Sequence, residues 1–259
     1  MSQPTIYRYI GQVLPPLAPM LLWTFGMEFL VRQGIVDAWI IPAPFDVLGS
    51  MWNDRAEIFS ATGQTLISAL AGLGFSFVIG SFVAVLLAAF PWFRRAFYPY
   101  AVFFQTVPII ALAPILVIWF GFGTPTVIAS SFIVSVFPII ASTLLGLEST
   151  DPALVDLFRL YRAPRFQFLV KLKIPFALPQ VFSGLRIAAG LAVIGAIVGE
   201  FIGGGGLGAL VDAARSQQRI DKVFAAVLIS SVLGVILVGS VNLLSAWILG
   251  PWHASEKKT

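Results

Sequence analysis

The sequence predicts an all-α membrane protein with about six transmembrane helices, on the strength of its composition and the spacing of its apolar runs. Of its 259 residues, 58% are hydrophobic and only 11% are charged, and the mean hydropathy is +0.93. A soluble globular domain has roughly 45–50% apolar residues. Because one span needs about 20 residues, the chain has room for about six spans and little else.

Long apolar runs alternate with short polar segments along the whole chain. The segment DAWIIPAPFDVLGSMWNDRAEIFSATG (37–63) is too polar to cross a membrane. It predicts an interfacial loop or amphipathic helix with Trp39 and Trp52 at the level of the lipid headgroups. We expect one transmembrane domain over 13–250, flanked by a cytoplasmic segment, 1–12, and a cytoplasmic tail, 251–259. The predicted spans are 13–31, 64–90, 97–120, 125–147, 178–200 and 223–249.

The lysines and arginines predict the orientation of these spans. If the N-terminus is cytoplasmic, most of the sixteen basic residues, including Arg94 and Arg95, lie on the cytoplasmic side. The reverse orientation breaks the rule that cytoplasmic loops carry the excess of Lys and Arg. We therefore expect a multi-pass membrane protein with both termini in the cytoplasm. The first apolar run lacks a small-residue cleavage site and is interpreted as a retained span.

Several classes of site are disfavoured by the residues that the chain lacks. There is no cysteine and a single histidine, His253, so disulfides, thiolate chemistry and most metal sites are not expected. The sequence has no G-x-x-x-x-G-K-[ST] phosphate loop, and Gly203–Gly206 lacks the Lys and Ser/Thr that would follow. We interpret this glycine run as a hinge or turn. No catalytic residue, metal or cofactor is predicted.

Residues 148–177, hereafter the basic loop, interrupt the apolar pattern. Asp151 and Pro152 have the residue types of a helix N-cap and a first helical position. The apolar residues that follow recur at helical spacing, and a second piece restarts at Pro164 and ends at Pro175. Two interpretations stay open, an anchor for anionic headgroups or a docking element, and the caps favour docking. The cations of the loop are Arg159, Arg162, Arg165, Lys171 and Lys173.

The basic loop resembles the cytoplasmic coupling loop of binding-protein-dependent ABC importer permeases. That loop has an acidic residue, two small residues, a glycine and an apolar–x–Leu–Pro ending. Aligned on Pro175, the acidic position is Asp156 and the glycine position is Arg162. Three further stretches resemble the nitrate, sulfonate and taurine branch of this family: IIPAPFDVL (40–48), VPIIALAPILVIWFGFG (107–123) and ALPQVFSGLRIAAGLAVIGAIVGEFIGGGGLG (177–208).

The resemblance implies the type I importer permease fold and assigns the loop to contact with an ATPase. Leu157 and Phe158 stand where the family has small residues, so the apolar contact offered to a partner is bulkier. Arg162 replaces a glycine, which costs on the order of 1 kcal/mol if the turn is left-handed. Either the turn avoids that conformation, or Pro164 fixes the break instead. The implied coupling residues are Asp156, Leu157, Phe158, Leu160, Tyr161, Arg162, Ala163 and Pro175.

The resemblance also implies partners and a solute class. We expect a homodimer of permeases, two cytoplasmic ATPase subunits that bind ATP and Mg, and a periplasmic or lipid-anchored binding protein, without nucleic acid. Members of the branch carry nitrate, sulfonates, taurine or small heterocycles. Because the spans are aromatic-rich and lack a cluster of cations, we favour a neutral heterocycle. The alternatives are a stand-alone secondary transporter or channel and a membrane-embedded enzyme. A transporter or channel predicts inverted repeats or paired charges within the spans, and an enzyme predicts a cluster of titratable residues. Neither pattern is evident in the sequence.

A few polar groups within the apolar runs are candidates for the translocation pathway. They offer a solute weak, reversible contacts, but hydrogen bonds between packed helices explain them equally well. Glu200 ends the fifth predicted span and lies either at the outer mouth of the pathway or in the outer interface. Glu28 and Arg186 are interpreted as interfacial. The pathway candidates are Gln105, Thr106, Pro108, Ser131, Ser135 and Glu200.

Overall fold

The computed structural model describes residues 5–250, and these residues form helices joined by short connections. The predicted tail, 251–259, and the first four residues of the predicted segment 1–12 lie outside the described residues. A one-turn π-helix, Leu169–Lys173, lies between the helices Arg165–Phe168 and Ile174–Gly203. The α-helices are α1 (Thr5–Arg32), α2 (Pro44–Asn53), α3 (Arg55–Ala89), α4 (Pro91–Thr106), α5 (Ile109–Phe120), α6 (Thr124–Glu148), α7 (Pro152–Leu160), α8 (Arg165–Phe168), α9 (Ile174–Gly203), α10 (Gly206–Ser216) and α11 (Ile220–Leu249).

Within residues 5–250, four helical stretches are long and apolar enough to cross a membrane. They are Arg55–Ala89, Thr124–Glu148, Arg165–Gly203 and Ile220–Leu249, and α5 is a shorter apolar helix. These stretches contain the predicted spans 64–90, 125–147, 178–200 and 223–249 almost completely. The all-α membrane fold is thereby confirmed, whereas the count of six spans stays a prediction.

The predicted span 97–120 is wrong as a single helix. The chain forms α4 and α5 instead, with a break at Val107 and Pro108. Pro108 has φ −61° and ψ 118°, which is an extended conformation. Proline has no N–H to continue the helix of α4, and its ring disfavours a helical conformation at the preceding residue. Hydropathy detects the apolar run but not this interruption.

The predicted end of the second loop helix at Pro175 is also wrong. The helix α8 runs through the π-helix into α9, and Pro175 is the second residue of α9. A proline inside a regular α-helix clashes with the carbonyl four residues earlier. The wider π turn directly before Pro175 relieves that clash, so the helix continues without a break.

The chain divides into two compact units, of which the first comprises the residues up to Phe59 together with Leu210–Leu228. Within it, α2 is the amphipathic helix expected in the segment 37–63. The Glu28 carboxylate accepts hydrogen bonds from the Arg32 Nε, at 2.9 Å, and from the backbone N of Phe45, at 3.0 Å. Glu28 therefore satisfies a free N–H in the first turn of α2 and holds that turn against the end of α1.

An ion-pair network in the same unit surrounds Asp54, which lies between α2 and α3. Its two carboxylate oxygens accept from the two terminal nitrogens of Arg219, at 2.6 and 3.1 Å. Lys222, whose side chain is only 6% exposed, reaches Glu57 at 2.6 Å and Asp54 at 3.4 Å. The hydrogen bonds from Arg219 lower the pKa of Asp54 to about 2, because they stabilise the ionised carboxylate.

This network predicts that the first unit loosens in acid. Because the pKa of Asp54 is lower in the folded chain than its ordinary value of 3.8, its contribution to stability is complete above about pH 4. The contribution is lost as the pH falls from about 4 towards 2. The protection of α2 amides against hydrogen exchange, relative to the intrinsic exchange rate at each pH, should fall over that interval. In Asp54→Asn this protection should be lower at neutral pH and should change little between about pH 4 and pH 2; an unchanged acid response would contradict this assignment.

The second unit, Ser60–Ala209 with the residues from Ile229 onward, has α6 and α9 at its centre. The backbones of these two helices approach closely because glycines face them. A Cβ on Gly195 would lie 2.8 Å from the Cα of Ser131, and one on Gly199 would lie 2.9 Å from the Cα of Val127. The Ser130 hydroxyl donates to the carbonyl of Gly195 at 2.7 Å. Such small-residue contacts allow two membrane helices to pack as one rigid pair.

Candidate functional site

The helix α7 is the part of the basic loop that, by the family resemblance, is expected to contact an ATPase. The side chain of Asp151 accepts a hydrogen bond from the backbone N of Ala153 at 2.9 Å, and Pro152 is the first helical residue. The predicted N-cap is confirmed. At the other end, the backbone N of Tyr161 donates to the carbonyl of Leu157 at 3.1 Å. Both ends of this nine-residue helix are therefore closed by local hydrogen bonds.

The apolar face of α7 is exposed. No residue of α7 is buried, and the exposed fractions are 38% for Leu154, 45% for Leu157 and 77% for the adjoining Tyr161. Asp156 and Arg159 form an ion pair on the opposite side of the helix, with 3.3 Å between the atoms. In water, an uncovered leucine face on a capped helix is typical of a surface that a partner covers.

The position of α7 is fixed through the short helix that follows it. The rings of Phe158 and Phe168 lie edge to face, with 6.1 Å between their centroids. Phe158 thus packs within the loop, whereas Leu154, Leu157 and Leu160 remain available. Of the two bulky residues that stand at the small positions of the family pattern, one therefore packs internally and the other, Leu157, is presented outward.

Arg162 adopts the left-handed conformation, with φ +52°, so the first of the two expected alternatives, a turn that avoids this conformation, is wrong. Its backbone N donates to the carbonyl of Arg159 at 2.9 Å, and the N of Ala163 donates to the carbonyl of Phe158 at 3.1 Å. These bonds close α7 through a left-handed residue, a position that glycine usually occupies. The turn keeps the geometry expected for glycine and accepts the strain of an arginine.

We expect Arg162→Gly to stabilise the chain by about 1 kcal/mol, because glycine adopts a positive φ without steric cost. Arg159→Gly is the matched control. It makes the same replacement within α7, where the φ is helical, and should destabilise by about 1 kcal/mol. Thermal unfolding of the two variants in detergent measures both effects. Equal shifts in the same direction would contradict the strain at Arg162.

Three of the pathway candidates lie at the break between α4 and α5. Gln105 lines a cavity of about 260 Å³, together with Val107 and Ile109 from the break, Phe137 from α6 and Leu191 from α9. Thr106 closes α4, since its hydroxyl donates to the carbonyl of Phe103 at 2.8 Å. Pro108 ends the connection and is the residue directly before α5. The break thus places one amide side chain in an otherwise apolar lining.

The candidates Ser131 and Ser135 are buried within the helix packing. The Ser131 hydroxyl donates to the carbonyl of Ala192 at 2.9 Å, and that of Ser135 donates to the carbonyl of Ser131 at 2.7 Å. The hydroxyls of Ser135 and Ser76 are also 2.7 Å apart. These hydrogen bonds join α3, α6 and α9, as the helix-packing alternative predicts. A role for either serine in solute passage stays a prediction.

Glu200 is the most deeply buried carboxylate described, with 1% of its surface exposed. Its Oε2 accepts from the Thr65 hydroxyl at 3.0 Å and from the backbone N of Gly208 at 2.8 Å. Thr65 in turn accepts from the backbone N of Leu207, and Gln64 accepts from that of Gly206. Together the three side chains satisfy three free N–H groups at the start of α10. We call Gln64, Thr65 and Glu200 the α10 cap.

The glycine run before α10 forms the predicted turn. Gly204, Gly205 and Gly206 have φ values of +84°, +82° and +65°. A Cβ on Gly206 would lie 2.0 Å from the Oε1 of Glu200. Only glycine therefore fits between the turn and the buried carboxylate. Sequence reasoning singled out Glu200 but missed Thr65 and Gln64, because nothing local links them to a glutamate more than a hundred residues away.

Comparison with known proteins identifies the family. Residues 76–250 match the family described as "Binding-protein-dependent transport system inner membrane component". The chain is 34% identical over 252 residues to the "Formylaminopyrimidine transport permease protein ThiX" of Halalkalibacterium halodurans, covering 96% of this chain and 98% of that protein. It is 31% identical over 243 residues to the "Riboflavin transport system permease protein RibX" of Chloroflexus aurantiacus, covering 93% and 90%.

Solved structures support the same fold. A chain of the MetNI methionine ABC transporter in an inward-facing conformation superposes with a TM-score of 0.64 at 22% identity, covering 75% of this chain and 95% of that one. A chain of a bacterial ABC transporter involved in alginate import gives a TM-score of 0.64 at 16% identity, covering 94% and 99%. The chain therefore belongs to the binding-protein-dependent transport system inner membrane components, and it is a permease subunit of an ABC importer with the type I fold.

Proposed function

We propose that two copies of this chain form the translocation pathway of an importer, and that α7 of each copy docks into a groove on a separate cytoplasmic ATPase. The observation that carries the proposal is the exposed apolar face of α7, a helix capped at both ends. An amphipathic helix laid into a groove is a common mode of recognition. ATP and Mg are bound by the ATPase, and a binding protein delivers the solute from the other side of the membrane.

The connections of α7 explain how motion of an ATPase would reach the spans. Two residues, Ser149 and Thr150, separate Glu148 at the end of α6 from the N-cap Asp151. On the other side, α8 and the π-helix continue into α9 without a break. Because α6 and α9 pack backbone against backbone, a displacement of α7 moves both helices together rather than bending the loop.

In this proposal the basic loop lies in the cytoplasm because of its cations. Arg94 forms an ion pair with Glu148, so the connection between α3 and α4 lies at the same membrane face as the basic loop. Cations at this face fit the excess of Lys and Arg in cytoplasmic loops. We therefore place this face, with both termini, in the cytoplasm of the bacterial inner membrane.

For the solute we propose a small neutral heterocycle. Gln105 adds an amide to an apolar cavity whose lining includes no cationic side chain. An amide both donates and accepts hydrogen bonds, as ring nitrogens and carbonyls of a heterocycle require, whereas an oxyanion is usually bound by cations. Relatives with names that specify formylaminopyrimidine and riboflavin are 34% and 31% identical, and one named for aliphatic sulfonates is 26% identical.

Co-purification tests the proposal. The tagged chain is extracted from native membranes in mild detergent, and the eluate is assayed for ATP hydrolysis and for bound proteins. A cytoplasmic ATPase in equal amount, lost when 156–161 is replaced by a Gly/Ser linker, is the expected result. A chain that purifies without an ATPase under these conditions would contradict it.

A binding protein that co-purifies with the chain allows the solute class to be tested. It should bind a labelled pyrimidine or flavin in preference to taurine or nitrate.

A further inference from the structure

A second pocket, of about 410 Å³, lies where α3 ends and α4 begins, beside the end of α6. Its volume falls within the range of small-ligand pockets, roughly 300–1,000 Å³. Arg94, Arg95, Tyr98 and Glu148 supply its polar groups, and Leu87 belongs to its apolar side. This is the arginine pocket. It is separate from the cavity at Gln105 and from the exposed face of α7.

The charges of the arginine pocket do not balance. Arg94 forms an ion pair with Glu148, which neutralises one cation. Arg95 forms no ion pair within residues 5–250. The pocket therefore keeps one positive charge beside a phenolic hydroxyl at Tyr98. An arginine guanidinium presents a planar set of donors that matches the oxygens of a phosphate.

The surroundings of the pocket belong to the edge of a membrane. One residue, Phe90, separates the end of the candidate span Arg55–Ala89 from Pro91, which begins α4. Phe90, Trp92 and Tyr100, which flank the pocket along the chain, are 57%, 76% and 64% exposed. Tryptophan and tyrosine concentrate at the level of the headgroups. Beneath the arginines, Leu87 packs with Leu144 in an apolar cluster.

We propose that the arginine pocket binds the phosphodiester of an anionic phospholipid, with Arg95 as the principal ligand and Arg94 as the second. The apolar side of the pocket and the exposed aromatic side chains favour a lipid over a free anion, because they can contact its glycerol and acyl chains. Basic pockets between membrane helices bind lipid headgroups in this way. The bound phosphate competes with Glu148 for Arg94, and Glu148 is both the last residue of α6 and the first residue of the basic loop.

This competition gives the two sides of the pocket opposite effects on lipid binding. Removing Arg95 removes the principal ligand. Removing the charge of Glu148 releases Arg94 to the phosphate. Arg95→Gln should thus weaken binding and Glu148→Gln should strengthen it, although both substitutions replace a charged side chain with glutamine in one pocket. A merely electrostatic layer of headgroups around the protein would not distinguish Arg95 from other exposed arginines at the same face.

Native mass spectrometry of the full chain in detergent, with mixed phosphatidylglycerol and phosphatidylcholine, tests the proposal. We expect the unmodified chain to retain phosphatidylglycerol selectively, and Arg95→Gln to weaken that binding about fivefold, the effect of one cation near an anionic surface. Glu148→Gln should strengthen it. Arg165→Gln, an exposed arginine of the basic loop, is the matched control and should leave it unchanged. Equal retention of the two lipids, or equal losses in Arg95→Gln and Arg165→Gln, would overturn the proposal.

A soluble competitor separates the lipid from a free anion. Glycerol phosphate carries the same phosphate chemistry without acyl chains. Millimolar glycerol phosphate should displace little phosphatidylglycerol from the pocket if the apolar contacts contribute. Displacement by glycerol phosphate at lipid-like concentrations, with the same dependence on Arg95, would show a site for soluble phosphates and would overturn the assignment to a lipid.

Discussion

Leu157→Asp is expected to abolish transport while leaving the chain folded in the membrane. Leu157 is 45% exposed on the apolar face of α7, so a charge there meets water in the isolated chain at little cost. In the complex the same carboxylate would be buried in the ATPase groove without a partner. The loss should be about 2 kcal/mol or more of docking free energy, as at other central interface residues. That corresponds to roughly thirtyfold weaker association.

Arg159→Gln is the control for this variant. Arg159 lies on the opposite side of the same helix, in an exposed ion pair with Asp156, and such pairs contribute little to stability. Pull-down of the ATPase by the tagged chain and ATP-dependent solute uptake should both fail in Leu157→Asp and persist in Arg159→Gln. If Leu157→Asp retained the ATPase at full stoichiometry, the apolar face of α7 would not be the docking surface.

Gly206→Ala is expected to destabilise the second unit more than any other single methyl group placed in the glycine turn. The added Cβ would lie 2.0 Å from the Oε1 of Glu200, and the backbone φ of +65° is itself unfavourable for alanine. Either the carboxylate moves out of the α10 cap or the turn shifts. Moving it leaves the buried N of Gly208 without its acceptor, whereas the Thr65 hydroxyl keeps only the carbonyl of Ala61. Each buried group left unpaired costs about 1–3 kcal/mol.

Gly204→Ala separates the two causes. Gly204 has φ +84° but nothing within 4 Å of an added Cβ, so it carries the backbone strain alone, about 1–2 kcal/mol. The unfolding temperature in detergent should fall further in Gly206→Ala than in Gly204→Ala, by about 2–4 °C for each kcal/mol of difference. Glu200→Ala should match Gly206→Ala, and Glu200→Gln, which keeps an acceptor oxygen, should fall between. Equal shifts in the two glycine variants would show that the α10 cap does not hold the turn.

Features set by a few neighbouring residues were predictable from the sequence. The cap of α7 follows from Asp151 and Pro152, and the turn before α10 follows from the glycine run, because both depend on local backbone preference. Hydropathy located most of the long apolar helices. It could not detect the break at Pro108, which lies within a continuous apolar run, nor the π-helix that lets α8 continue past Pro175.

The candidate sites also differ in whether they depend on neighbouring residues or on the packing of distant helices. The exposed face of α7 follows from the helical spacing of its leucines in a polar loop. The environments of Ser131 and Glu200 depend on which helices pack together, and a single sequence does not contain that information. Thr65 and Glu200 are 135 residues apart, and only the fold brings them within hydrogen-bonding distance. Arg162 shows the converse, since its left-handed turn was not predicted: arginine disfavours a positive φ, and only the glycine of the family pattern at this position pointed to it.

Single-cysteine cross-linking detects contact between α7 and an ATPase in the membrane itself. The chain has no cysteine, so each cysteine substitution introduces a unique thiol. Leu160, at the end of α7, is 80% exposed. Phe59, the control position, is 82% exposed and lies near the start of α3, at the membrane face that is opposite to α7 in the proposed orientation. In native membranes treated with a short thiol-to-amine cross-linker, Leu160→Cys should form an adduct with a cytoplasmic ATPase and Phe59→Cys should not. The absence of that adduct from Leu160→Cys, or its appearance with both variants, would contradict docking through α7.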